Sequence, residues 1–556
     1  MNGHAASRHS LRHEESAVLL LDEKSLSDIE SDAGRADLES RFITNQQKRW
    51  LVHIQIYMST LRPPTTTCLK RVGIFLLPSF VQSRFFSNHH RDRNRDLGPT
   101  AYLDGMRGLA ALFVFFCHYF YTCFIIAQGW GYGADNYHVL KLPFLRLFYQ
   151  GPPMVCVFFV ISGYALSLKP LKLARQRKFD SLATTMASFI FRRGFRLFLP
   201  TAISTLMIVA MLRVGLYEWT REFAYDDRYM KNVQEIHYDR LNSTAEQLED
   251  WGKEMFRFVH VWDWDSKAGS TAIDVHLWTI PVEFRSSMML FLTLLGTARL
   301  KTRLRLLGVA LIMCFVYCND RWELLLFYWG MVLAELDLIR GVHNSSDGGA
   351  PIVAAAGSSP VSASSSSSSA AAAAAAEEEQ APADIILLTP KRSGKIKRAM
   401  WLSVSILALY LMSQPDQGGE ETPGWVVLTN FVPEWYEDTY RYWQSVGAVL
   451  LVLAVGRSPG WQRFFNTGVV QYFGKISYAI YLMHGPVMHT VGYAIERWIW
   501  MSVTGTEGTA YNWGFVLASL FVVPVVVWAS DVFWRAVDAP VVRFAKWLEV
   551  QCSIAD

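Results

Sequence analysis

Charge is what this sequence has little of. Only 18% of its 556 residues are Asp, Glu, Lys or Arg, against 51% hydrophobic and 14% aromatic, which is too apolar for an ordinary soluble protein of this length. Cysteine is scarce as well, with seven in all. Five of them (Cys117, Cys123, Cys156, Cys314 and Cys318) lie within apolar segments. They read as small buried hydrophobes, so neither a disulfide framework nor a metal site is expected. No secretory signal opens the chain, because the first forty residues are polar and charged; targeting then falls to an internal membrane segment. No internal repeat is evident. The net charge of +4 decides little, since in a membrane protein the placement of Lys and Arg between loops matters more than their sum, and no nucleic-acid partner is expected.

What is present is a series of apolar stretches, the first of which organises the rest. From Leu109 to Ala127 nearly every side chain is apolar, yet Arg107 precedes the stretch and His118 sits near its middle. About 20 residues suffice to cross a bilayer. Eleven positions separate the two cations, and at roughly 100° per residue they return to the same helix face about 16 Å apart along the axis. Ionisable groups at membrane depth are costly and mark functional sites by default.

Nine more candidate spans follow at about 151–168, 197–215, 275–296, 304–318, 322–339, 401–413, 442–455, 472–495 and 513–534. The chain thus reads as an all-α polytopic bundle of about ten transmembrane helices. Residues 1–98 form a basic, largely disordered arm, in which 72–81 is apolar but too short to span. Residues 99–340 carry the first six spans, 341–400 a Ser/Ala-rich linker expected to be disordered, 401–545 the last four spans and 546–556 a short tail. The loop after the second span holds Lys169, Lys172, Arg175, Arg177, Lys178, Arg192, Arg193 and Arg196 against the single acid Asp180, which places it, and with ten crossings both termini, in the cytoplasm, and the later basic residues Arg305 and Arg457 fall on the same side. The outer loop 216–273 contains Asn242-Ser243-Thr244, an acceptor pattern for N-glycosylation. Asn344-Ser345-Ser346 has the same form but falls on the cytoplasmic side, where it is expected to go unused.

Within the spans a few polar residues stand out. Asp104 reads as a helix N-cap one turn from Arg107. Arg107 either snorkels to the inner interface or serves a site, whereas His118 needs a partner or a task. Ser162 and Gly163 fit a close helix approach. Glu283, two residues after Pro281, requires a cation or a proton, and His118, Arg107 and His484 are its candidates. His484, after Ser477, Tyr478 and Tyr481, is a second buried imidazole. Arg192, Arg193 and Arg196 either anchor the cytoplasmic mouth of the third span or grip phosphates with their planar forks.

These motifs together resemble the acyltransferase-three family of integral-membrane O-acyltransferases. The resemblance rests on Leu103-Asp104-Gly105-Met106-Arg107-Gly108-Leu109-Ala110 followed by His118, on Phe158-Phe159-Val160-Ile161-Ser162-Gly163-Tyr164, on Arg192/Arg193/Arg196, on Trp278 to Phe284, and on Ser477-Tyr478 to His484. It covers about residues 100–545, without the extracytoplasmic hydrolase-like domain that many bacterial members add, and the low-complexity insert suits a fungal member. A closing Glu-x-Pro pattern of the family is here Asp538-Ala539-Pro540. The resemblance implies transfer of an acyl group, often acetyl, from acyl-coenzyme A as co-substrate to a hydroxyl of a small molecule, lipid or glycan. It implies His118, Glu283 and His484 in catalysis, Arg107, Arg192, Arg193 and Arg196 on the coenzyme A, and Ser162 and Tyr478 on the substrate. His118 is then general base or transient acyl carrier, and Glu283 an orienting group for the imidazole. A proton-coupled transporter is the rival reading, because buried His and Glu in kinked helices also build proton relays.

Overall fold

The computed structural model describes residues 66–85, 97–134, 136–262, 271–342 and 394–553. Among these residues every regular element is helical, and β-pairing is confined to two isolated bridges. Ten long helices coincide one by one with the ten apolar stretches: α1 Ala101–Tyr121, α2 Gly151–Arg175, α3 Phe179–Arg213, α4 Thr279–Thr297, α5 Thr302–Cys318, α6 Trp322–Ile339, α7 Gly394–Met412, α8 Thr439–Arg457, α9 Gly468–Val487 and α10 Gly508–Phe533. Among the described residues, three helical runs are long and apolar enough to cross a membrane by length and composition: α2, α3 and the continuous run Gly508–Cys552. Several of the others carry buried ionic groups instead, including Arg285 in α4, Arg305 in α5, Glu335 and Asp337 in α6, and Arg441 in α8.

Small residues set the closest helix contacts. At the crossing of α1 and α9, a Cβ added to Gly108 would stand 2.3 Å from the Gly474 nitrogen, and one on Gly105 would stand 2.1 Å from the oxygen of Phe465, the last residue of the short helix Pro459–Phe465 before α9. At the crossing of α2 and α6, Gly163 and Gly330 do the same, with added Cβ atoms 2.1 Å from the Phe327 oxygen and 2.3 Å from the Val160 oxygen. The close approach expected of Ser162-Gly163 is therefore made by the glycine.

Ions fasten the bundle where the sequence suggests only loop anchors. Glu335 of α6 takes Arg305 at 2.6 Å and Arg175 at 3.2 Å, and its neighbour Asp337 takes Arg457 at 2.5 Å and the Tyr164 hydroxyl at 2.9 Å. Basic residues that read as positive-inside markers thus turn inward, because α6 offers buried carboxylates that need them.

Other local expectations change as well. Helix α1 begins at Ala101 after Thr100, so Asp104 lies in its first turn, where a carboxylate suits the positive helix end. Within the amino-terminal arm, Thr66–Leu76 and Ser79–Phe85 are helical. Buried Asp531 of α10 holds this piece by accepting from the Ser79 amide at 2.8 Å and the Ser79 hydroxyl at 2.6 Å. Cys123 and Cys156 are buried as expected, whereas Cys314 and Cys318 face outward from α5. The linker 341–400 lies outside the described residues apart from its ends, and so does Asn344.

Candidate active site

Helices α1 and α9 run parallel from their glycine crossing, and ten residues beyond Gly108 and Gly474 each presents a histidine. The rings of His118 and His484 stack there with centroids 5.3 Å apart. A third imidazole, His276, comes from the short 3-10 turn Val275–Trp278 that leads into α4. Its centroid lies 4.2 Å from that of His118 and 4.8 Å from that of His484. Three histidines from distant parts of the chain therefore meet in one cluster.

Their protonation is partly legible from hydrogen bonds. His484 Nδ1 lies 3.1 Å from the Ile480 carbonyl oxygen, which only accepts, so that nitrogen carries the hydrogen and Nε2 is left as a bare lone pair in the neutral ring. Neither His484 Nε2 nor His118 Nδ1, both buried, has a hydrogen-bond partner among the described residues. His276 differs: Nδ1 is 2.7 Å from Asp274 Oδ1 and Nε2 is 2.8 Å from Glu235 Oε1. Gly485 makes room for this pair, since an added Cβ would stand 2.9 Å from both Asp274 Oδ2 and His276 Nδ1. The Tyr481 hydroxyl donates to the His276 carbonyl and accepts from Thr279 Oγ1 at 2.6 Å, which ties the turn to α9.

The segment 216–262 reaches this cluster through Glu235. Glu235 spans His276 and His489, its second oxygen meeting His489 Nε2. His489 sits in a π-helical turn, Met488–Gly492, and π-turns are frequent at functional sites because they re-aim side chains. His237 stacks on His489 with centroids 4.8 Å apart. Burial alone would push the Glu235 carboxyl up, but the His276 and His489 rings more than offset it and hold it well below the usual carboxylate range. Burial, then His489 and Arg221, bring the His237 imidazole down to about 3, so it is neutral.

A second tier gathers the arginines. Glu283 accepts from Arg193 at 2.7 Å and from Ser162 at 3.1 Å. Its carboxylate is thus turned toward the arginines, and the carboxylates beside the imidazoles are Asp274 and Glu235. Arg107 and Arg196 lie close enough to act on both Arg193 and Asp538. The Nε of Arg107 has no partner among the described residues. Arg192 is turned away, with its Nε 3.1 Å from Glu549 of the terminal helix Ala539–Cys552. Tyr478 donates to the Leu197 carbonyl at 2.6 Å and meets Thr201 Oγ1 at 3.1 Å, which fixes α9 to α3.

Of the residues singled out from the sequence, the structure joins His118 with His484 in one tier and Arg107, Arg193, Arg196, Glu283 and Ser162 in the other. It adds Glu235, His237, Asp274, His276 and His489. One signal for His276 was available: it lies two residues before the stretch Trp278 to Phe284 that carries part of the resemblance.

Residues 100–535 match the family described as an acyltransferase domain. The chain is 31% identical over 484 residues to the O-acetyltransferase PaAT-1 of Phomopsis amygdali, covering 83% of this chain and 86% of that protein. It is 25% identical over 492 residues to acyltransferase R4 of Phoma sp., covering 81% of this chain and 96% of the relative. With acyltransferase clz18 of Cochliobolus lunatus the identity is 26% over 498 residues, covering 82% and 97%. No solved structure matches.

Proposed function

The chain belongs to the acyltransferase-three family and is an acyltransferase, and from that premise we propose that it moves an acetyl group from acetyl-coenzyme A to a hydroxyl of a carbohydrate, lipid or secondary metabolite. The name O-acetyltransferase, carried by the relative PaAT-1, supports both the acetyl group and the oxygen acceptor. The ten long helices are taken to cross the membrane with both termini in the cytoplasm, which sets the arginine tier toward the donor.

The observation that carries the reading is the pair of buried, unpartnered imidazole nitrogens, His118 Nδ1 and His484 Nε2, beside a third imidazole held by two carboxylates. A buried lone pair with no donor is costly. An acceptor hydroxyl supplies the missing hydrogen. In this mechanism the hydroxyl oxygen attacks the thioester carbonyl carbon while His118 takes the hydroxyl proton. The carbon–oxygen bond forms, the carbon–sulfur bond breaks, and the proton passes to the departing thiolate as free coenzyme A. His484 stacks on His118 from the facing helix. Arg107, Arg193 and Arg196 hold the phosphates of the donor, with Glu283 keeping Arg193 in place. Arg192, committed to Glu549, has the weaker claim to that task. Ser162 and Tyr478 act on substrate through the groups they position, Glu283 and the α3 backbone.

Steady-state kinetics of two variants test these roles. Arg107→Ala raises KM for the donor, whereas His118→Ala lowers kcat by about 10²–10⁴, the usual worth of a general base. The opposite split overturns the assignment. Rapid acid quench without acceptor separates the two roles of His118, because only an acyl carrier leaves label on the protein.

A further inference from the structure

We propose that Glu235, His276 and His489 form a divalent-cation site of zinc type next to the reaction pocket, a site that the scarcity of cysteine had argued against. The three come from the outer loop, the turn before α4 and the π-helical turn after α9. They are 4%, 2% and 7% exposed, and their ligating atoms all lie within 4.8 Å of one another. Two imidazoles and one carboxylate with a position left for substrate or water is a donor set that catalytic zinc favours. Bonds of about 2.0–2.2 Å in a tetrahedral set put ligating atoms about 3.4 Å apart, so a separation as wide as 4.8 Å would close by about 1.4 Å while Glu235 Oε1 and His276 Nε2, now 2.8 Å apart, would part by about 0.6 Å.

Two further observations point to a cation. Asp274 holds His276 Nδ1 at 2.7 Å, which aims Nε2 at Glu235 and is the outer-shell carboxylate that a ligating histidine ordinarily has. The backbone of His489 is likewise pinned, its carbonyl accepting from Thr220 Oγ1 at 2.6 Å. Charge balance is the other observation. Glu235 and Asp274 are both buried, and neither has a lysine or arginine partner among the described residues. Two positive charges are needed, and they come either from protons on both rings or from one divalent ion with both rings neutral. The single ion satisfies the carboxylates and leaves each ring only one hydrogen to place. Because His276 also faces His118, a cation held there would add positive potential beside the atoms that react.

The test uses the full-length protein purified without chelator in detergent or nanodiscs, with no acyl donor or acceptor present. Metal analysis is expected to give one zinc per chain. After chelation, titration with Zn²⁺ restores one equivalent, and Co²⁺ gives visible bands of a four- or five-coordinate site. Glu235→Gln and His489→Ala lower the stoichiometry toward zero, while His237→Gln, which stacks on His489 but supplies no ligand, keeps it. Wild-type protein that takes up neither ion at micromolar concentration overturns the proposal whatever the variants do, and assigns the cluster to protons alone. Because metal content is read without turnover, this result stands apart from success or failure of the acyl-transfer reading.

Discussion

Gly108→Ala puts one methyl group where two helix backbones touch. The new Cβ would stand 2.3 Å from the Gly474 nitrogen and 2.5 Å from the Phe473 carbonyl carbon, and neither backbone atom belongs to a side chain that can swing away. Restoring an ordinary contact of about 3.5 Å requires α1 and α9 to part by about 1.2 Å at that point. Overpacking of this kind costs about 1–3 kcal/mol. The larger effect falls ten residues on, where the same helices present His118 and His484. A misplacement of about 1 Å at a reacting centre costs on the order of 100-fold in rate. The variant should therefore fold with a lowered unfolding midpoint and lose kcat on the order of 100-fold in an acyl-transfer assay. Gly308→Ala on α5 is the control, because nothing stands within 4 Å of its added Cβ; it should keep the wild-type rate. Wild-type kcat in Gly108→Ala would refute the claim that this crossing sets the histidine pair.

Three further outcomes follow from particular contacts. Gly485→Ala presses a Cβ against Asp274 and His276 at 2.9 Å and should lower kcat with little change in the donor KM, read by initial rates at varied acetyl-coenzyme A. Glu335→Ala strands Arg305, whose side chain is 3% exposed, and should cost about 3–5 kcal/mol in thermal unfolding, whereas Arg340→Ala on the exposed helix end should cost under about 0.5 kcal/mol. Asn242 is exposed just before the Ser243 cap of Thr244–Val259, so protein from a glycosylating host should shift in mobility on glycosidase treatment and Asn242→Gln should not. No shift in the wild type would remove that support for an outer loop at 216–273.

How far the sequence disclosed this arrangement depends on the background of each residue. His118, His484 and Glu283 stood out because an ionisable group in an apolar run is rare, and the structure buries His484 fully. Glu235, His237 and His489 did not stand out. The first two lie in a polar loop where acids and imidazoles are ordinary, and the Glu235–His489 contact joins residues 254 positions apart. Period and spacing report local geometry, and nothing local says that this loop folds back into the bundle. Glu283 illustrates the same limit: the sequence demanded a cation for it but left His118, Arg107 and His484 open, and the partner turned out to be Arg193 from the neighbouring helix. Arg305 and Arg457 were read from a sidedness rule, which is silent on whether an arginine faces water or a buried acid. The helices themselves were legible because apolar runs of this length have few other solutions.

The most direct test of the central claim is transfer of labelled acetyl from acetyl-coenzyme A to a panel of hydroxyl acceptors by the purified protein in nanodiscs, run beside His118→Ala. The account predicts label in an ester product that hydroxylamine releases, with the rate reduced by about 10²–10⁴ in the variant. An unchanged rate in His118→Ala, or solute flux across vesicles with no ester formed by the wild type, would contradict it.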